Sequence, residues 1–177
     1  MPRASAGRRS KGREAEMPFT NLLVAVDGSE ASNRALSKAL ELAALTGAAI
    51  TALAVEGPLP AYASTLGEVD EVKREKDAFF GRLARDVRAQ AERAGVRIEV
   101  DVRPGHAAEL ISRVAKERGA DLIVHGHRGH VLRDHLLGST ADRVAEHAEC
   151  PVLIVKKTAR SEAAVTSRVA RRSSWKI

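Results

Sequence analysis

A single cysteine, Cys150, stands among the 177 residues, so no internal disulfide can form and packing alone must hold the fold. That fits a reducing compartment, and a cytoplasmic location is the expectation. Cys150 precedes Pro151 and an apolar run, which reads as a small core residue rather than a reactive thiol. Aromatic residues number five (three Phe, one Tyr, one Trp), so the interior has to be aliphatic and rich in alanine, as in layered α/β packing. No apolar run approaches the roughly 18 residues of a membrane span. Also missing are a Walker GxxxxGK[ST] loop, a G-x-S-x-G elbow and a Ser-Gly-Gly-x-Asp-Ser loop after the first strand. These absences favour binding over turnover, and no catalytic residue is assigned.

A basic bias in the folded part is missing as well. Residues 1–16 carry five basic and two acidic groups and residues 157–177 six and one, so the net charge of +6 leaves −2 for residues 17–156. Attraction to nucleic acid or an anionic surface is thus confined to the two ends. Both ends hold too few apolar groups to offset the entropy of ordering, and read as a disordered basic arm (1–16) and tail (158–177) around a domain spanning 17–157. Residues 1–16 have no apolar segment of signal-peptide type, and Met17 is an alternative start to Met1.

What is present is an alternation of strands and helices. Leu22–Val26 is a continuous apolar run, as in a strand buried on both faces, and it ends in Asp27-Gly28-Ser29, where Asp27 with Glu30 forms a capping box. The helix beyond presents Ala35, Leu36, Ala39, Leu40 and Ala43 on one face and stops near Gly47. A second strand covers Ala49 to Val55, followed by a loop, Gly57 to Gly67, of a length that often carries function. Glu68 to Ala94 reads as a long helix with Phe79, Phe80, Leu83, Ala84, Val87 and Ala91 in its buried stripe. The third strand alternates Val96, Ile98, Val100 and Val102 with charged residues, so one face is wet, as at a sheet edge. A third helix (Leu110, Ile111, Val114, Ala115) ends around Gly119.

The last stretch, Asp121 to Lys156, is a further βαβ unit. Leu122-Ile123-Val124 opens it, a loop with Gly126 and Gly129 follows, and Gly138-Ser139-Thr140 starts an amphipathic helix (Ala141, Val144, Ala145, Ala148). Ser139 and Asp142 form an S-x-x-D capping box. Pro151 ends that helix, and Val152–Val155 is the fifth strand. By the right-handed crossover rule the whole is a single-domain α/β fold: an open five-stranded parallel sheet, Rossmann-like, with helices on both faces. With the alternating strand at one edge, the order is 3-2-1-4-5. Strands 1 and 4 then lie side by side where the winding reverses, and ligands in such sheets bind there, beyond the carboxyl ends. Unpaired N–H groups at a helix start favour an anion such as phosphate.

Gly126-x2-Gly129, Gly138-Ser139 and the strand Cys150-Pro151-Val152-Leu153-Ile154-Val155 resemble the signature of the universal stress protein family over about residues 19–157. Eight residues, His130 to Leu137, separate Gly129 from Gly138, where the family's nucleotide-binding pattern has nine. The resemblance implies an adenine nucleotide, ATP with or without Mg2+, at the switch point. Asp27 and Val55 would then face the nucleoside, and Gly126, Gly129, Gly138, Ser139 and Thr140 the phosphates, with His127 and Arg128 in the loop between. For Asp27, helix capping and nucleoside contact weigh equally. The resemblance also implies a homodimer through the Val152–Val155 edge, which carries no gatekeeper charge.

His125, His127, His130 and His135 crowd into eleven residues, yet no nearby Cys or carboxylate completes a ligand set, and no metal site is assigned. Three function classes follow: a nucleotide-binding stress sensor or regulator, a nucleotide-free dimeric interaction module, and a slow ATP hydrolase.

Overall fold

The structure, a computed structural model, describes residues 19–58, 66–127 and 140–157. Among the described residues nine elements alternate: β1 (Asn21–Val26), α1 (Glu30–Thr46), β2 (Ala49–Glu56), α2 (Leu66–Ala94), β3 (Ile98–Pro104), α3 (Ala107–Glu117), β4 (Leu122–Gly126), α4 (Thr140–His147) and β5 (Val152–Val155). All strands are parallel, in the order β3-β2-β1-β4-β5. The expected topology is therefore the observed one.

β1 is central because its side chains feed both cores. Leu22 and Val24 pack with α1 and α2 on one face of the sheet, while Leu23 joins Leu53 of β2, Ile123 of β4, the α3 stripe and Val144 of α4 on the other. Most α1 partners are alanines, Ala35, Ala39 and Ala43, so the helix lies close on the strands. At the amino ends, β1 and β4 are tied by Asp121, whose carboxylate accepts from the Thr20 backbone N–H at 2.7 Å, the Thr20 hydroxyl at 2.9 Å and the Asn21 N–H at 3.2 Å. The Asn21 amide donates back to the Arg118 carbonyl at 2.6 Å.

Three local expectations are corrected. Ser29 rather than Asp27 caps α1, since its hydroxyl accepts from the Ser32 N–H at 3.2 Å, and Asp27 instead accepts from the Ser29 N–H at 2.9 Å. Phe79 and Ala145 sit at helical spacing with buried neighbours but are exposed, because the packed layer does not extend over those positions. The polar side of β3 is not simply wet: Asp101 and Arg103 are half-buried, while the apolar Val102 is 40 % exposed. There Arg118 clasps Glu99 at 2.8 and 3.0 Å and reaches Asp101 at 3.2 Å, and Arg103 bridges Asp101 at 2.8 Å and Glu117 at 2.6 Å. Strand spacing alone cannot tell that α3 supplies partners to those charges.

Candidate functional site

A cleft of about 400 Å³ opens beyond the carboxyl ends of β1, β2 and β4. Asp27 and Ser29 stand on its β1 side, Val55 on its β2 side, His125 and Gly126 on its β4 side, and Thr140 and Ala141 of α4 across it. Four of the residues expected at the site, Asp27, Val55, Gly126 and Thr140, are thus brought to one cavity by the strand reversal between β1 and β4. His127 leaves β4 with its N–H donating to the Val155 carbonyl at 2.9 Å, and its own carbonyl lies 3.5 Å from Arg34 Nη2 on α1. Arg128, Gly129, Gly138 and Ser139, and with them the Ser139 to Asp142 capping box, fall outside the described residues.

The turn after β1 is locked by short-range bonds. Besides the Ser29 cap, the Ser32 hydroxyl donates to the Ser29 carbonyl at 3.0 Å and accepts from the Asp27 N–H at 3.3 Å. Gly28 takes φ +78°, and a Cβ there would touch the Phe79 ring at 3.4 Å. Exposed Phe79 therefore lies against this turn from above, edge-on to Phe80 at 5.2 Å. On the β2 side Lys76 of α2 donates to the Gly57 carbonyl at 2.6 Å and pairs with Glu56 at 3.3 Å, holding the chain just past Val55.

Gly126 has a reason to be glycine that needs no ligand. A Cβ built on it would lie 2.2 Å from the Ala31 carbonyl oxygen, 2.4 Å from its carbon and 2.9 Å from the Ser32 nitrogen. The first turn of α1 rests directly on the end of β4, and its backbone fills the space a side chain would take.

His125, which the sequence offered only as one of a histidine group, lines the cleft beside the glycine. Burial pushes its pKa below the ordinary 6.5, and neighbouring His127 acts in the same direction against a hydrogen bond to Gly126. The ring is neutral near pH 7. Period-two alternation could have found it, since it follows Ile123 by two residues and so faces the same side of the sheet. Cys150 is half-buried against the α3 and α4 core, and burial raises its thiol pKa, so it behaves as packing rather than as a nucleophile. Among the described residues no group of three or more His, Cys, Asp or Glu could hold a metal, and no helix is long and apolar enough to cross a membrane.

A doubly wound parallel sheet with its cleft at the switch point is the architecture of small α/β ligand-binding domains. The chain belongs to the universal stress protein family, whose model matches residues 18–156. It is 33 % identical over 147 residues to universal stress protein YxiE of Bacillus subtilis, covering 78 % of this chain and 99 % of that protein. Among solved structures, a universal stress family protein from Burkholderia pseudomallei is 32 % identical with a TM-score of 0.62, over 79 % of this chain and 97 % of that one. A universal stress protein in complex with cAMP is 26 % identical with a TM-score of 0.65, over 80 % and 99 %.

Proposed function

We propose that this chain binds an adenine nucleotide, ATP with or without Mg2+, in the cleft between β1 and β4, and serves as a cytoplasmic stress-response sensor or regulator. The observation that carries this is the convergence of Asp27, Val55, Gly126 and Thr140 on one cavity at the strand reversal. Its volume falls in the range of about 300–1,000 Å³ usual for small-molecule sites. A family member solved with cAMP supports a nucleotide as the ligand class. In this reading the Asp27 carboxylate accepts from ribose hydroxyls, Val55 flanks the base, and the start of α4 at Thr140 faces the phosphates. Gly129, Gly138 and Ser139 with Arg128 complete the phosphate half.

Calorimetry with ATP and magnesium tests this directly, and binding heat is the expected result. No heat from wild type, with binding recovered after one residue is inserted beside His130, would mean that the eight-residue spacing closes the site. A nucleotide-free dimeric interaction module is the second reading, favoured by Gly126, whose lack of a side chain α1 already requires. Denaturing extraction and mass analysis of the small molecules that co-purify separates the two.

In both readings the assembly is a homodimer. Among the described residues β5 is an outer strand of half-buried apolar residues, Val152-Leu153-Ile154-Val155, paired on one side only, with β4. Antiparallel pairing with a second copy would cover it. Sedimentation equilibrium showing only monomer at micromolar concentration would exclude this assembly.

A further inference from the structure

The cleft has one wall that is almost entirely apolar. Ala25, Leu53, Val55 and Ile111 line it, all belonging to or packed on the α3 and α4 core. His125 is set into this wall, half-buried, and it differs from its neighbours in carrying polar atoms. One of them is satisfied: Nδ1 lies 2.9 Å from the Gly126 carbonyl oxygen. A carbonyl only accepts, so the proton of that bond sits on Nδ1. In a neutral ring the other nitrogen, Nε2, then offers a lone pair and no proton. Nε2 has no partner among the described residues. A bare acceptor in an apolar wall disfavours any ligand that fails to satisfy it, since desolvating it uncompensated costs free energy.

Building on the adenine-nucleotide reading, we infer that His125 is the specificity-determining residue of this cleft, its Nε2 accepting a hydrogen bond from a donor on the bound nucleoside. Two groups on such a ligand have that chemistry, the exocyclic amino group of the base and a ribose hydroxyl. Either selects against an analogue that presents an acceptor or nothing at that point. Burial keeps the imidazole from protonating, which preserves its acceptor character near pH 7.

Calorimetric titration of the full chain with ATP, inosine triphosphate (6-oxo in place of 6-amino), 2′-deoxy-ATP and 3′-deoxy-ATP tests this. Wild type should bind at least one of the three analogues on the order of tenfold more weakly than ATP, as expected for one lost hydrogen bond at a desolvated site. The analogue that suffers names the donor. In His125→Leu, which fills the wall without an acceptor, that preference should fall below about threefold, while His125→Gln, which restores an acceptor oxygen, should regain part of it. Because Asp27 also meets the ribose, the deciding quantity is the change in each ATP-to-analogue ratio between wild type and variant, not the ratio itself. Equal ratios in wild type and both variants would overturn the inference while leaving the nucleotide site standing. Wild type that binds none of the four overturns the nucleotide reading, and the inference with it. If His125→Leu fails to fold by its melting curve, His125→Met, a more adaptable apolar side chain of similar size, replaces it with the same expected fall below about threefold and the same overturning result.

Discussion

Replacing Gly126 with alanine separates the two reasons a glycine can stand at the end of β4. The new Cβ would sit 2.2 Å from the Ala31 oxygen, whereas ordinary contact begins at 3.4 Å, so the strand end and α1 must part by more than about 1 Å. The opposing atoms are backbone and have no rotamer to change. Moving them disturbs the Ser29 cap and the Asp27 to Ser32 bond that hold the first turn, together with the alanine-lined seat of α1 on the sheet. Overpacking typically costs about 1–3 kcal/mol, and a backbone obstacle places this case near the upper end, about 2–3 kcal/mol. Urea denaturation of the ligand-free protein measures it. Gly81→Ala is the matched control: it lies within α2, its Cβ would meet only Arg85 Nη1 at 3.7 Å, and it should stabilise by roughly 0.5–1 kcal/mol through helix propensity. A Gly126→Ala protein within about 0.5 kcal/mol of wild type would refute the packing argument and leave ligand approach as the sole reason for the glycine.

Three other outcomes are expected. His125 resists protonation when folded, so its contribution is complete above its unfolded value of about 6.5 and is lost as pH falls through the lower folded value; the urea midpoint of wild type should drop toward or below that of His125→Gln between about pH 7.5 and pH 5. Asp101 is held below its ordinary 3.8, chiefly by the hydrogen bond from Arg103, so its stabilisation is present above that value and disappears as pH falls through the lower folded one; acid titration of Asp101→Asn, followed by circular dichroism, should lack that component of the unfolding curve. Lys76→Met removes the tie between α2 and the end of β2 and should lower stability by about 1 kcal/mol in urea, with Lys76→Arg restoring part of it.

The sheet order was legible because a single strand, β3, alternates while the others read as apolar runs, and that contrast assigns edge and centre before any coordinate is known. The position of the cleft followed from the order. Side-chain roles were less legible where they depend on what another element brings. Gly126 looked like part of a phosphate loop because loop glycines are common near anions, but the contact that demands it comes from Ala31, far away in sequence. Asp27 and Ser29 are both residues that cap helices, and only the backbone path chooses Ser29. Phe79 matched the helical stripe and still lies on the surface, since periodicity fixes the face of a helix but not how far along it the neighbouring layer extends. His125 hid in a cluster whose sequence proximity suggested a shared role, although of the four histidines it alone lies within β4.

The adjacency of β1 and β4 has a consequence for how the chain is made. Their partners lie about 100 residues apart, as the Asn21 to Asp121 bond records. During synthesis at roughly 5–20 residues per second, β1 emerges first, pairs with β2, and keeps its other side open for about 5–20 s until β4 is complete. A strand whose side chains enter both cores of the finished sheet is thus, for most of translation, a temporary edge of the kind that invites wrong pairing. Nascent-chain aggregation should accordingly be highest for ribosome-bound fragments ending between β3 and β4, and should vanish once Gly126 and the strand behind it have cleared the exit tunnel.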